Sequence, residues 1–495
     1  MTEPVTGPTR ADQVWHRLSP RMLLVHPIHE VLRQVPLLVG TLIVGSATGN
    51  PVWLIVALVG TVGVGVARWF TTTYRIDTEE VQLRTGLLRR TVLAVPRNRI
   101  RSVSTEARLL HRMLGLTVLR VSTGQAATGD TEFELDAVPA TEVPRLRAIL
   151  LAESLTAPGQ PEQAAPTGRI LARWQPSWLW YSALSFTGLA MILAAVGVVS
   201  QLGIDPEVLQ DSELAESGLD IAQRLGAAVT VVLVAVVVLV ASVLLSVLRS
   251  LLTYGNLVLR RDFDVLHLQH GLLRLRENTF DMRRLRGGTL REPLLVRLFG
   301  GARLDAVMTG VGGAGEASLL LPPCPASTAR SVLADLVERP EAVTGPLYGH
   351  GPAAARRRWF RALALPVVTL AALLAGAAQG LLPGWVWVAW VALTAGCVAL
   401  AVDRVRSLGH RVVDGWLVAR AGSIERRRDC LDAEGIIGWT VRQTFFQRRA
   451  GVATLIAATA AGAKRYEVLD VPVEWAWAIA GAATPWVGET TWARR

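Results

Sequence analysis

The chain has 495 residues, a mean hydropathy of +0.36, 51% hydrophobic residues and a net charge of +11. So much apolar content excludes an ordinary soluble protein and indicates a membrane protein with polar domains. The basic charge is nearly all Arg, since Lys464 is the one Lys; that bias reflects genome composition more than mechanism. Cys324, Cys397 and Cys430 share no metal-type spacing, and no disulfide framework is expected of cytoplasmic domains.

Residues 1–20 are polar, with Trp15 and several prolines, and no signal-peptide pattern follows. The first apolar stretch is therefore expected to stay as an anchor. Gln34–Ala67 holds no Asp, Glu, Lys or Arg. With a turn at Ser46–Pro51 it makes two short spans if Glu30, Arg33 and Arg68 snorkel; a re-entrant hairpin is the alternative. Trp178–Ile204 and Leu225–Leu248 form a second uncharged pair, and Ala362–Val402 a third with its turn at Gln379–Gly384. The loop Asp205–Arg224 is acidic, whereas the other flanks carry Arg68, Arg75, Arg249, Arg260, Arg261, Arg356, Arg357, Arg358, Arg404 and Arg406. Basic flanks stay cytoplasmic. Six spans with both termini inside are expected.

A β unit follows each apolar pair. Tyr74–Gly86, Leu259–Gly271 and His410–Gly422 are three copies of one pattern. A second glycine lies 29 positions after each final one, at Gly115, Gly300 and Gly451, with Arg112, Arg297 and Arg448 three residues earlier. In the first copy Val81, Leu83 and Thr85 alternate with Gln82 and Arg84, which reads as a half-buried strand turning at Gly86. Further strands are expected at Arg99–Ser104, Leu116–Ser122 and Glu132–Leu135. Each unit closes with a helix: Pro139–Glu153, Pro325–Glu338 and Val473–Ala480. Thr156–Thr167 and Arg339–Pro352 are rich in Pro, Gly, Gln or Ala and read as linkers without fixed structure.

The order of these motifs resembles the membrane-flanked bacterial pleckstrin-homology (PH) proteins, the YdbS/YdbT-like group. The first copy carries it best: Gly86-Leu-Leu-Arg-Arg90, Pro96, Arg99-Ile100 and Arg112-Met-Leu-Gly-Leu116. The second keeps Gly271-Leu-Leu-Arg274, Arg284-Leu285 and Arg297-Leu-Phe-Gly300. The third keeps Gly422 and Arg448-Arg-Ala-Gly451 but has Gly435-Ile436 at the Arg-Ile position. The resemblance implies a PH-like β-sandwich or barrel with a C-terminal helix for each unit, and it hands over no ligand.

The expected layout is a cytoplasmic segment (1–27), hairpin 1 (28–68), PH-like domain 1 (72–154), a linker (155–173) and hairpin 2 with its acidic outer loop (174–248). PH-like domain 2 (252–338), a linker (339–358), hairpin 3 (359–403) and PH-like domain 3 (407–485) follow. Arg89, Arg90, Arg97, Arg99 and Arg101 crowd one region and read as a surface for anionic lipid or a partner, by general electrostatics rather than a pocket. Gly86, Gly115, Arg112, Gly271, Gly300, Arg297, Gly422, Gly451 and Arg448 read as structural repeat positions. His26/His29 and His267/His270 are poor metal pairs, because Pro27 interrupts the first and i, i+3 on a strand point to opposite faces. Gly310–Gly315 leads to no helix, so it is not a dinucleotide loop.

Nothing in the chain reads as catalytic, and no cofactor, metal or nucleic-acid partner is expected. The expected function is a non-catalytic docking or assembly surface in the bacterial inner membrane, partnered by the anionic inner leaflet and a protein. The alternative is a transport or channel component with the β domains as cytoplasmic regulators, although no span carries the ionisable group such a path requires.

Overall fold

The computed structural model describes residues 15–17, 19–22, 60, 63, 66, 70–77, 80–86, 90–97, 100, 102–122, 133–146, 150, 168–185, 189–194, 227–310, 318–379 and 383–489. It is a mixed α and β chain with several antiparallel sheets. Its contacts define two units. One holds 1–171, 256–284 and 309–312; the other holds 172–255, 285–308 and 313–495.

In the first unit β1 (His16–Arg17), β2 (Thr73–Ile76), β3 (Glu80–Thr85) and β4 (Thr91–Pro96) form a four-stranded sheet in that order. Then come β5 (Ser102–Ala107), the short helix α1 (Leu109–Met113), β6 (Leu116–Ser122) and β7 (Phe133–Pro139), and residues 143–146 are helical. Alternation decides the faces. Val81 and Leu83 are buried while Gln82 and Arg84 are half-exposed. Val81, Ile100, Val103, Leu119, Phe133 and Leu135 belong to one core shared by both sets of strands. Burying each such side chain stabilises the unit by about 1.5–3 kcal/mol.

The next elements are β8 (Arg169–Arg173), the helices α2 (Trp178–Ala183) and α3 (Ala227–Tyr254), then β9 (Val258–Asp262), β10 (Val265–His270) and β11 (Leu275–Asp281). The sheet order is β7-β6-β5-β11-β10-β9-β8. The end of the first copy and the beginning of the second therefore share one sheet, joined where β5 meets β11.

The second unit repeats this device. It contains β12 (Leu285–Pro293), α4 (Leu294–Leu298), β13 (Gly301–Met308), β14 (Leu319–Pro325), α5 (Ala326–Val337) and α6 (Pro340–Thr344). The helices α7 (Gly351–Ala378) and α8 (Trp385–Ser407) lead to β15 (Gly409–Val413), β16 (Trp416–Ala421) and β17 (Glu425–Asp432). Last come β18 (Ile436–Arg442), α9 (Phe445–Arg449), β19 (Val452–Thr459), β20 (Arg465–Pro472) and α10 (Val473–Ala483). One sheet runs β14-β13-β12-β17-β16-β15 and another β18-β19-β20. Leu417, Leu431, Trp439, Leu455, Val468 and Ile479 share the core of the third copy.

The two joins have one register. Ala107 faces Leu275 at the first join. At the second, Glu292 faces Arg426. Glu292 lies as far beyond Gly271 as Ala107 lies beyond Gly86, and Arg426 as far beyond Gly422 as Leu275 beyond Gly271. An exposed strand edge carries unpaired N–H and C=O groups, and each join satisfies one such edge with the next copy.

Among the described residues three helices are long and apolar enough to cross a membrane: Val232–Tyr254, Gly351–Ala378 and Trp385–Ser407. The last two flank the expected 379–384 turn. Pro366 lies inside α7, and its carbonyl accepts the indole N–H of Trp390 on α8 at 3.1 Å. In Trp178–Ile204, α2 stops at Ala183, residues 189–194 are helical, and 186–188 and 195–204 lie outside the described residues. Of Gln34–Ala67 only Gly60, Gly63 and Val66 are described, each helical. The 205–224 loop, the 156–167 linker and residues 311–317 also lie outside.

One expectation is corrected. Arg339–Pro352 is not a structureless linker: it holds α6 and the start of α7. Ala342 and Val343 are buried at 0% and 1% exposure. Tyr348 pairs with His410 in both backbone directions, at 2.8 and 3.0 Å. Composition misled because Pro340 opens a helix, where a missing N–H costs nothing.

Candidate functional site

The recurring glycines are conformational requirements. Gly86, Gly271 and Gly422 follow β3, β10 and β16 with φ of 123°, 106° and 103°. Only a residue without Cβ occupies that region freely. Gly115, Gly300 and Gly451 leave α1, α4 and α9 with φ of 68°, 76° and 67°. Their carbonyls accept from the N–H of Ala140, Ala326 and Val473 at 2.9, 2.9 and 3.2 Å. The three copies thus share one backbone device that leads the last strand into the closing segment.

The recurring arginines diverge. Arg112 Nη1 donates to the Leu272 carbonyl, beside the turn glycine of the next copy, at 3.2 Å. Arg297 Nη2 donates to Asp403 Oδ2 at 2.8 Å. Arg448 is exposed, and among the described residues it makes no ion pair. Of the crowded arginines, Arg90 is exposed and Arg97 half-buried; Arg89, Arg99 and Arg101 lie outside the described residues. His267 Nδ1 is 3.4 Å from Thr279 Oγ1, and His26 and His29 lie outside.

Each sheet join carries charge as well as backbone pairing. Glu106, 4% exposed, faces Arg274 and Arg276 across the first join at 3.3 and 3.6 Å, and Arg108 and Arg120 on its own side. Burial pushes its carboxyl pKa up, but the four arginines outweigh it and hold the group below its usual value. Arg284 Nη1 donates to the Ile100 carbonyl at 3.1 Å. At the second join Arg286 reaches Asp432 at 2.7 Å, Thr289 donates to Asp429 at 2.7 Å, and Arg291 bonds Glu425 at 3.1 Å. Asp429 is buried deeply enough that its carboxyl is raised despite Arg427 and Arg291. The same join explains the missing Arg-Ile pair of the third copy. A Cβ at Gly435 would press on the side chain of Arg286, which occupies the space.

A second constellation fixes the α7–α8 hairpin. Asp470, 3% exposed, accepts from Arg357, from Arg358 at 3.2 Å and from Gln447 at 3.0 Å. Gln447 is held by a capping box with Thr444 at the start of α9. Asp470 has φ of 54°, a left-handed conformation that Asp tolerates better than most residues. Beside it His350 bonds the Leu469 carbonyl at 2.7 Å and His410 at 2.9 Å. One tautomer satisfies both: His350 donates from Nδ1 to the carbonyl and accepts at Nε2 from His410 Nδ1–H. Burial, with help from His410 and Arg358, pushes His350 down to about 4, and burial lowers His410. Near the C-terminal end of α8, Asp403 accepts from Arg297 at 2.8 Å and Arg426 at 2.6 Å. By these buried or half-buried ion pairs α7 is pinned to β20, and α8 to α4 and β17.

The sequence reading missed Glu106, Asp403, Asp470, His350 and His410. A signal existed for Asp403, the first charge after the uncharged 362–402 stretch. None existed for Asp470, whose partners are distant in the chain.

Among the described residues no group of three His, Cys, Asp or Glu could hold a metal ion. A cleft lined by Thr289, Arg291, Asp305, Arg427 and Tyr466 encloses about 20 Å³, room for roughly one water. Burial pushes the thiols of Cys324 and Cys430 up to about 12, so both stay protonated at neutral pH.

What these features define is a tandem β protein built onto long apolar helices that could cross a membrane. Residues 32–154 and 362–480 match the family model described as bacterial PH domain. These two regions are consistent with a bacterial PH-like protein, and the matches take in the first and third copies together with the apolar segments before them. No curated protein and no solved structure matches it.

Proposed function

We propose that the chain is a non-catalytic integral protein of the bacterial inner membrane whose three PH-like units form a docking and assembly surface along the inner leaflet. The observation that carries this reading is the double pinning of the α7–α8 hairpin, through Asp470 with Arg357 and Arg358 and through Asp403 with Arg297 and Arg426. A mere anchor would work with a flexible tether. Ion pairs on both helices, at the start of α7 and the end of α8, hold the β domain in one orientation to the hairpin, as a surface that must present a constant face requires. Exposed arginines such as Arg90 would add about 1 kcal/mol each of attraction to an anionic leaflet. Six spans place all three units and both termini inside.

Intact-cell cysteine labelling tests the topology, since the native Cys324 and Cys430 are buried. An impermeant maleimide should label Asp211→Cys and spare Met113→Cys, which is 82% exposed on α1, until the cells are opened. Labelling of position 113 from outside overturns the arrangement. Ion or solute flux through proteoliposomes holding the pure protein would replace the docking role with transport.

A further inference from the structure

Within the chain the copies join by one rule. The strand that follows the 3₁₀ or loop step of one copy (β5, β12) lies against the strand that follows the turn glycine of the next (β11, β17). The register is the same both times, with the equivalent residues Ala107 and Glu292 facing the equivalent residues Leu275 and Arg426. The rule leaves two strands over. β4 of the first copy ends its sheet beside β3, and β18 of the third copy ends its sheet beside β19. Among the described residues neither has a partner strand on its outer side. β4 is the counterpart of β11 and β17, and β18 the counterpart of β5 and β12.

We propose that these two end strands pair between copies of this chain, β18 of one molecule adding to β4 of another, so that the protein assembles head to tail in the membrane plane. Applying the internal register places Gln443 opposite Arg90, Arg442 opposite Thr91, Val441 opposite Val92, Thr440 opposite Leu93, Trp439 opposite Ala94 and Gly438 opposite Val95.

The side chains at these positions fit each other. The internal joins place polar pairs here: Arg286 with Asp432 at 2.7 Å, and Glu106 with Arg276 at 3.6 Å. At the position of the Arg286–Asp432 pair the end strands carry the apolar Ile437 and Pro96, and at that of Glu106 and Arg276 they carry Arg442 and Thr91. Val92 is 54% exposed and Ile437 70% exposed, and the register brings each to an apolar neighbour, Val441 and Pro96. No like charges face each other, because Arg442 meets Thr91 and Arg90 meets Gln443. The faces also match. At the internal join the core residue Val103 lies opposite Thr279, while Asn278, on the core side of the second copy, lies opposite Ser104. Val441 and Trp439, packed in the core of the third copy, would likewise continue onto Val92 and Ala94 on the outer face of the first. Pro96 ends β4 and keeps the ladder short, which suits an assembly formed by tethered molecules. Such a contact is heterologous, so it generates a ring or an open row rather than a two-fold dimer. The pairing does not depend on what the units dock with.

The test uses the full-length protein in its membrane. Two differently tagged forms are produced together, one carrying Val92→Cys and the other Val441→Cys. Directly opposed residues have Cβ atoms about 4.5–5.5 Å apart, within reach of a disulfide after a small adjustment. A mild oxidant should give a covalent dimer bearing both tags. Thr440→Cys with Val92→Cys is the slipped control: adjacent residues point to opposite faces, so its yield should be several-fold lower. Equal yields, no two-tag dimer, or crosslinking of position 92 or 441 to a different protein would each overturn the proposal. A separate measurement is the mass of the wild-type protein in mild detergent. More than one chain per particle is expected, falling to one with the exposed-edge change Val92→Lys; a wild-type particle of one chain, or no effect of Val92→Lys, counts against the pairing.

Discussion

Acidification should loosen the contact between the α7–α8 hairpin and the third β unit through His350. In the fold this imidazole is buried, donates to the Leu469 carbonyl and accepts from His410. Protonation removes the acceptor and places a cation beside Arg358, with only Asp470 in compensation. The folded value of about 4 lies below the ordinary 6.5. The unfolded chain therefore binds more protons between these values, and stability is complete above pH 6.5 and lost as pH falls toward 4. At about 1.36 kcal/mol per pKa unit the full loss is about 3 kcal/mol, and at pH 5 it is about 2 kcal/mol. His410, also lowered, adds in the same direction. The assay is the thermal midpoint of the detergent-solubilised full chain from pH 8 to pH 4.5, compared with His350→Gln, whose amide can both donate and accept. The wild type should lose several degrees more than the variant across this range. A flat wild-type profile, or identical slopes for the two proteins, would refute the reasoning.

Three other outcomes follow from the same geometry. Gly287→Ala should abolish folding or cost several kcal/mol, because its Cβ would strike the Cys430 carbonyl across the second join at φ of 133°; Gly300→Ala, with open space and φ of 76°, should cost only about 1 kcal/mol. Chemical denaturation of the two variants makes the comparison. Glu106→Gln should cost about 1–2 kcal/mol, since it leaves Arg274, Arg276, Arg108 and Arg120 facing one another, although partial exposure of several of them screens the repulsion. The wild-type advantage should vanish as pH falls below the ordinary carboxylate range, because the folded pKa is the lower one. Asp403→Asn should raise hydrogen exchange in β17 and α4, whose Arg426 and Arg297 lose their shared carboxylate; unchanged exchange would show that the hairpin is held by packing alone.

Much of the local architecture could be read from the chain. Uncharged stretches announced α3, α7 and α8, because a helix in lipid satisfies its own backbone and needs only apolar side chains. Period-two alternation announced β3. Regular spacing announced Gly86, Gly271 and Gly422 and, further along each copy, Gly115, Gly300 and Gly451, because positive φ leaves glycine little competition. The joins were not legible. A strand's sequence says which face is buried but not which other strand will satisfy its edge, so nothing in residues 102–107 named 275–281 as partner. The roles of Arg112, Arg297 and Arg448 were equally hidden: one register position contacts a carbonyl, a carboxylate and solvent in turn, according to what the next copy brings near it. Asp470, His350 and His410 are far apart in the chain and meet only when the hairpin folds back on β20. Local pattern fixed the elements of this protein, whereas edge pairing and buried charge, which depend on distant chain segments arriving together, were decided by the tertiary structure alone.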